Sequence, residues 1–273
     1  MKTKEISKPP RFLETNFRKE LGKISPYLSL IDIASKEFID YSKDCNLDAL
    51  AKKHGHMKLV YDHIELSEMS YFATLSHLAF IHSRAERFCD EFRCYQKDIY
   101  KDESSSNLSE LDKLRRTVFN LHSTKNNNAL IPKGDNEMIY AEYTGSIEMK
   151  IYDYYRKIRN VEFHGGINLQ VEDYFNGEDL EQIKKRYNCI PHNMNSITIR
   201  DVILYSQAWQ NIARNICRKA VSVESVVKEL CYIYKHKNSK RRDNAITNKL
   251  QNEYLQELSE IDIMRELTKG WLA

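Results

Sequence analysis

Residues Met138–Gly166 read MIYAEYTGSIEMKIYDYYRKIRNVEFHGG, and the apolar spacing within them decides the fold class. Ile147, Ile151, Tyr154, Ile158 and Val161 recur at intervals of four, three, four and three residues. At about 100° per residue these five positions fall within a sector of roughly 80°, the mark of an amphipathic α-helix with one buried stripe. Gly165 and Gly166 close the pattern, as glycine does just past a helix C-terminus. The spacing predicts a helix from Met138 to His164.

Helical periods extend outward in both directions. Residues 11–54 read as two or three helices, with Pro26 in a first turn and Leu28, Ile31, Phe38 and Tyr41 at helical spacing. A long helix is expected from about Leu66 to Tyr100, with Phe72, Leu75, Leu78, Ala79, His82, Ala85 and Cys89 on one side and Lys101–Ser106 ending it. Another runs from Leu108 to about Leu121 on the stripe Leu111, Leu114, Val118 and Leu121. His122–Asn136 is a loop by composition and the best boundary between two regions, 1–125 and 136–273. Residues 165–196 mix loop and short helix. Thr198 and Asp201 form a capping-box pattern that opens a long helix through Ile203, Trp209, Ile212 and Ile216. The basic run Lys235–Arg242 separates it from a final helical segment. The expected class is all-α, a helical bundle with additional N-terminal helices.

Composition agrees. Only 8 Gly and 5 Pro occur in 273 residues, too few turn residues for an all-β chain. A net charge of +3 is less basic than a duplex-DNA surface usually requires, and it is compatible equally with a small phosphate-binding cleft and with no nucleic acid at all. The six cysteines form no Cys-x-x-Cys pair, and they are expected to fill the core. The N-terminal residues lack an apolar leader segment, and the longest apolar stretch, Tyr71–Ile81, is too short to span a bilayer. A reduced, cytoplasmic protein with no membrane association is expected.

The polar side of the Met138–His164 helix holds the chemistry. Arg156, Asn160 and His164 follow at i, i+4 and i+8, broadly opposite the apolar stripe, and Arg159 reaches the same space from its edge. Histidine exchanges protons near neutral pH. Arginine presents a fixed fork of donors to a phosphate whose oxygens gain charge in the transition state. An RNA 2′-hydroxyl supplies its own nucleophile, so neither a metal nor a cofactor is required. The grouping suits cleavage of RNA, with Arg156 and Lys157 as further substrate-binding cations.

The segment Arg159-Asn160-Val161-Glu162-Phe163-His164-Gly165 resembles the signature of the HEPN superfamily, an Arg commonly followed by Asn, Asp or His and then a His four to six residues after the Arg. The resemblance implies a helical bundle that dimerises, bringing two motifs into one composite cleft. It implies Arg159, Asn160 and His164 as active-site residues of a metal-independent endoribonuclease leaving 2′,3′-cyclic phosphate and 5′-hydroxyl ends. Many members serve bacterial antiphage defence, toxin–antitoxin growth arrest or CRISPR systems. A homodimer, an RNA substrate and a neutralising or activating partner protein are the expected partners. A HEPN-like module that binds RNA, a nucleotide or a protein without cutting is the alternative. The region before the motif helix is long for a minimal family domain, so the N-terminal helices are either an added module or part of the same bundle. Glu162 is placed to pair with Arg159.

Other groupings carry less. His54, His56 and His63 lack a Cys or carboxylate at ligand spacing, and His82, Glu86 and Asp90 sit among Arg84, Arg87 and Arg93, which reads as a solvated charged face. No Glu-x-x-His, His-Glu-x-x-His, phosphate-binding Gly-rich loop or Gly-x-Ser-x-Gly occurs. The run Lys235–Arg242 is a secondary candidate for backbone phosphates. Most of the 17 tyrosines share helical spacing with aliphatic residues and read as core.

Overall fold

The computed structural model describes residues 9–57, 65–100, 111–125, 136–166 and 168–257, and every regular element among them is helical. Helix α1 spans Arg11–Gly22, and α2 spans Ser25–Ser42 with Pro26 in its first turn, where a missing amide hydrogen costs nothing. Helix α3 (Leu47–Lys53) is opened by Asn46, whose Oδ1 accepts the Ala49 amide at 3.0 Å. A 3-10 turn at Leu66–Glu68 leads into α4 (Met69–Tyr100). Next come α5 (Lys113–Lys125), α6 (Asn136–Thr144) and α7 (Ser146–His164). Helix α8 (Gly177–Tyr187) starts at a reciprocal capping box between Asn176 and Asp179. Helices α9 (Ile199–Lys219), α10 (Val223–Ile233) and α11 (Ser239–Glu253) complete the set, and Ser222 and Asn238 cap the last two.

Several expectations need correction. The helix predicted from Met138 is two helices, because Gly145 takes φ +99° and breaks the ladder between α6 and α7. A side chain there would be strained by that φ and would run into the Glu148 carboxylate. The helix expected through Ile203 and onward stops at Lys219, with α10 separate. The basic run Lys235–Arg242 is only partly linker, since Ser239–Arg242 form the first turn of α11. Phe72, Ile31, Tyr41 and Ile203, read as stripe residues, are exposed. Among the cysteines only Cys89 and Cys217 are buried, and Cys94 is exposed. The start expected at Leu108, the stop at Lys101–Ser106, the centre of the His122–Asn136 loop and His63 lie outside the described residues.

The chain forms two compact units: Met1–Lys19 with Ala85–Met149 and Trp209–Ala273, and Glu20–Arg84 with Lys150–Ala208. Each draws on residues from both sides of the 126–135 segment. The first unit is built on an aromatic cluster. Phe17 lies 5.1 Å from Phe88 and 6.3 Å from Trp209, and Phe92 continues the chain of rings to Tyr95. Such ring pairs add about 0.5–1.5 kcal/mol each beyond the area they bury. Helix α5 packs on α6 through Arg115, which bonds Asp112 at 2.7 Å and Glu137 at 3.1 Å and lies over the Tyr140 ring.

The second unit is organised around the Lys150–His164 part of α7. Ile151, Tyr152, Tyr154, Tyr155 and Ile158 are all buried, so the inward sector of the helix is wider than the five-residue stripe suggested. His82 is a core residue here. It is stacked near Tyr152 and Tyr205, and its Nδ1 lies 2.8 Å from the Tyr205 hydroxyl. Helix α2 is turned the unusual way, with Leu28 and Ser35 buried while Tyr27, Leu30, Ile31, Ile33 and Tyr41 are exposed.

Candidate active site

The last two turns of α7 carry the motif out of the core. Ile158 is fully buried and Val161 half-buried; Arg159 and Asn160 are half-buried, and His164 is exposed. Gly165 then turns the chain at φ +78°, and Gly166 lies against Val161, where a Cβ would crowd its methyl groups. The two glycines therefore fix where the helix stops, immediately after His164.

On a helix, Arg159 and His164 point about 140° apart at about 100° per residue. The Arg159 Nη2 donates to Asn160 Oδ1 at 2.7 Å, and Asn160 lies between Arg159 and His164 around the helix, about 40° from the histidine. Asn160 thus orients the arginine.

The fate of Glu162 decides how free that guanidinium is. At i+3 from Arg159 it is the natural ion-pair partner. Instead its Oε1 accepts a short hydrogen bond from the Tyr71 hydroxyl on α4. Burial and the Glu162 carboxylate push the Tyr71 phenol far above its ordinary range, so it stays a donor. Among the described residues Arg159 has no carboxylate partner and His164 has no hydrogen-bond partner.

The two expected substrate-binding cations are more engaged. Arg156 lies 3.6 Å from Asp153 and over the Tyr152 ring, and Lys157 lies over the Tyr174 ring at 5.4 Å. Phe163 is 63% exposed between Glu162 and His164, leaving an aromatic face beside the histidine.

The sequence reading treated Asp201 only as a helix cap and passed over His192. Asp201 is completely buried and accepts five hydrogen bonds. Oδ1 takes the Tyr155 hydroxyl at 2.7 Å and the His192 amide at 2.9 Å. Oδ2 takes the Thr198 amide, the Thr198 hydroxyl and the His192 ring at Nδ1, 2.8 Å away. The Tyr154 hydroxyl adds a bond to the His192 carbonyl at 2.5 Å. This hub fastens the start of α9 and the 190s loop to α7. Only the cap pattern Thr198-x-x-Asp201 hinted at it.

Elsewhere, the Lys235 and Lys237 side chains lie over Tyr232 and Tyr234 in the basic run. Among the described residues no group of three or more His, Cys, Asp or Glu is placed to hold a metal, and no helix is long and apolar enough to cross a membrane. No protein-family model, no curated protein and no solved structure matches the chain.

Proposed function

We propose that the chain is a HEPN-type, metal-independent endoribonuclease that acts as a homodimer, in antiphage defence or toxin–antitoxin growth arrest. The observation that carries this reading is the Arg159 guanidinium, oriented by Asn160 and left without a carboxylate because Tyr71 takes Glu162. A structural arginine on a helix end would be expected to pair with Glu162; a phosphate-binding arginine needs that carboxylate held away. His164, exposed and without a hydrogen-bond partner among the described residues, is open to solvent and substrate.

In the proposed reaction the RNA 2′-oxygen attacks the adjacent phosphorus and the bond from phosphorus to the 5′-oxygen breaks. The 2′-proton leaves to a base and the 5′-oxygen receives a proton, giving a 2′,3′-cyclic phosphate and a 5′-hydroxyl. His164 exchanges these protons and Arg159 bears the charge that develops on the phosphate oxygens. Arg156, Lys157 and the exposed ring of Phe163 serve to hold the strand. The exposed apolar face of α2 supports self-association, since a soluble monomer rarely leaves so many large apolar side chains together on one helix.

The test is cleavage of RNA by the purified protein in EDTA, with sequencing of fragment ends. The expected result is cyclic phosphate ends, with activity falling by about 10²–10⁴ in His164→Ala and about 10²–10³ in Arg159→Ala. Intact RNA in the presence of a folded dimer, or cleavage unchanged in both variants, overturns the proposal.

A further inference from the structure

Helix α1 presents three bands of side chains around its circumference. At about 100° per residue, Leu13, Glu14 and Phe17 occupy the buried band. Arg18, Arg11, Thr15 and Lys19 follow around the helix within roughly 100°, and Phe12 and Asn16 lie beyond them. The second and third bands each open onto a cavity, and the two cavities share Arg11, Thr15 and Lys19 as a common wall.

The first cavity has a volume of about 440 Å³. Four cations line it, Arg11, Arg18 and Lys19 from α1 and Arg214 from α9, against the single carboxylate of Glu14. Glu14 is already committed to Arg18. Arg11 spends one donor on the Asn252 carbonyl at 2.6 Å, and Lys19 and Arg214 have no carboxylate partner among the described residues. Like charges gathered around a concavity raise its potential and repel one another until an anion enters. One or two negative charges would leave an excess, so the set fits a ligand with several. Guanidinium forks suit phosphate oxygens in particular. Gln251 and Leu255 complete the lining.

The second cavity, about 650 Å³, supplies what a phosphate alone does not need. Phe12 lines it, 45% exposed and steadied by an edge-to-face contact with Tyr95 at 6.0 Å. The Asn16 amide and the Glu253 carboxylate add donors and acceptors within reach of a base edge. An open aromatic face with hydrogen-bonding groups beside it is a base-stacking platform.

We infer that these joined cavities bind a nucleotide with a polyphosphate chain, its phosphates among Arg11, Arg18, Lys19 and Arg214 and its base on Phe12. None of these residues belongs to the Arg159–His164 motif, so the site stands independently of the nuclease reading.

Calorimetric titration of the full chain with ATP, GTP, CTP, UTP and inorganic tripolyphosphate tests it, with a short single-stranded RNA as competitor. At least one nucleotide and tripolyphosphate are expected to bind. Changing Lys19→Gln and Arg214→Gln together should weaken both at least tenfold while the unliganded melting temperature stays level or rises. Phe12→Ala should weaken the nucleotide about tenfold and spare tripolyphosphate, because stacking contributes only to the base. Absence of binding by every nucleotide, or affinity unaltered in the double variant, refutes the site. Binding of the RNA with no nucleotide binding also refutes it and assigns these cations to a strand path instead.

Discussion

Replacing Asp201 tests whether the hub at the start of α9 is the main polar fastening of its unit. Asp201→Ala removes a fully buried acceptor and strands its donors. The buried Tyr155 hydroxyl and the Thr198 and His192 amides lose the carboxylate that accepts them. The His192 ring is 36% exposed and can be satisfied by solvent. Each buried, unsatisfied donor costs about 1–3 kcal/mol, partly offset because the carboxylate's own desolvation is no longer incurred. The expected net loss is about 3–5 kcal/mol. At about 2–4 °C per kcal/mol for a chain of this size, the melting temperature falls by roughly 10 °C.

Asp201→Asn separates charge from geometry. Its amide oxygen keeps the Tyr155 and His192 amide bonds, and the His192 ring can change tautomer to accept from the new NH₂. The Thr198 amide then faces a donor, so one bond is lost at about 1–3 kcal/mol. Thermal and urea unfolding followed by circular dichroism should rank wild type above Asn above Ala. An Asn variant within about 0.5 kcal/mol of wild type, or an Ala variant no worse than Asn, refutes this accounting.

The same hub gives an alkaline limit. Burial and Asp201 hold the Tyr155 phenol well above its ordinary value of 10, so stability from the neutral form is complete below pH 10 and is lost as pH rises beyond it. A near-ultraviolet absorbance titration should show Tyr155, Tyr154 and Tyr254, the last pushed up to about 12, ionising only as helicity is lost. Thiol labelling at about pH 8 should modify exposed Cys94 first. Burial pushes Cys89 up to about 12 and Cys217 higher still, so both should react only on unfolding. Gly145→Ala should cost about 1–2 kcal/mol for the left-handed φ alone, seen as a melting temperature lower by a few degrees with helical content nearly unchanged.

How much of this was legible beforehand follows from what periodicity measures. A 3.6-residue repeat reports the phase of apolar side chains along one helix, and on α7 it found the inward side correctly from Ile147 to Ile158. It could not find the break at Gly145, because the stripe resumes in phase immediately after the glycine and only the backbone dihedral betrays the turn. On α2 the repeat found a stripe of which Leu28 is buried and Phe38 half-buried, while Ile31 and Tyr41 are exposed. Those four residues are in register, but a helix with apolar residues all round does not declare which face another element will cover. The cations of the α1 cavities were out of reach for a different reason: Arg18 and Arg214 lie 196 positions apart and no local pattern joins them.

The motif itself shows the same limit at the scale of one side chain. From Arg159 and Glu162 at i and i+3, local rules expect an ion pair, and that pair would occupy the group proposed to meet phosphate. A tyrosine 91 residues earlier removes the conflict by taking the carboxylate. An i, i+3 contact on an exposed helix is worth only a few tenths of a kcal/mol, whereas a hydrogen bond to a charged acceptor is worth about 1.5–3 kcal/mol, so the distant partner prevails once the fold brings it near. Tyr71 is therefore as much a part of the site as the residues the motif names, since the proposed phosphate contact depends on Glu162 remaining occupied.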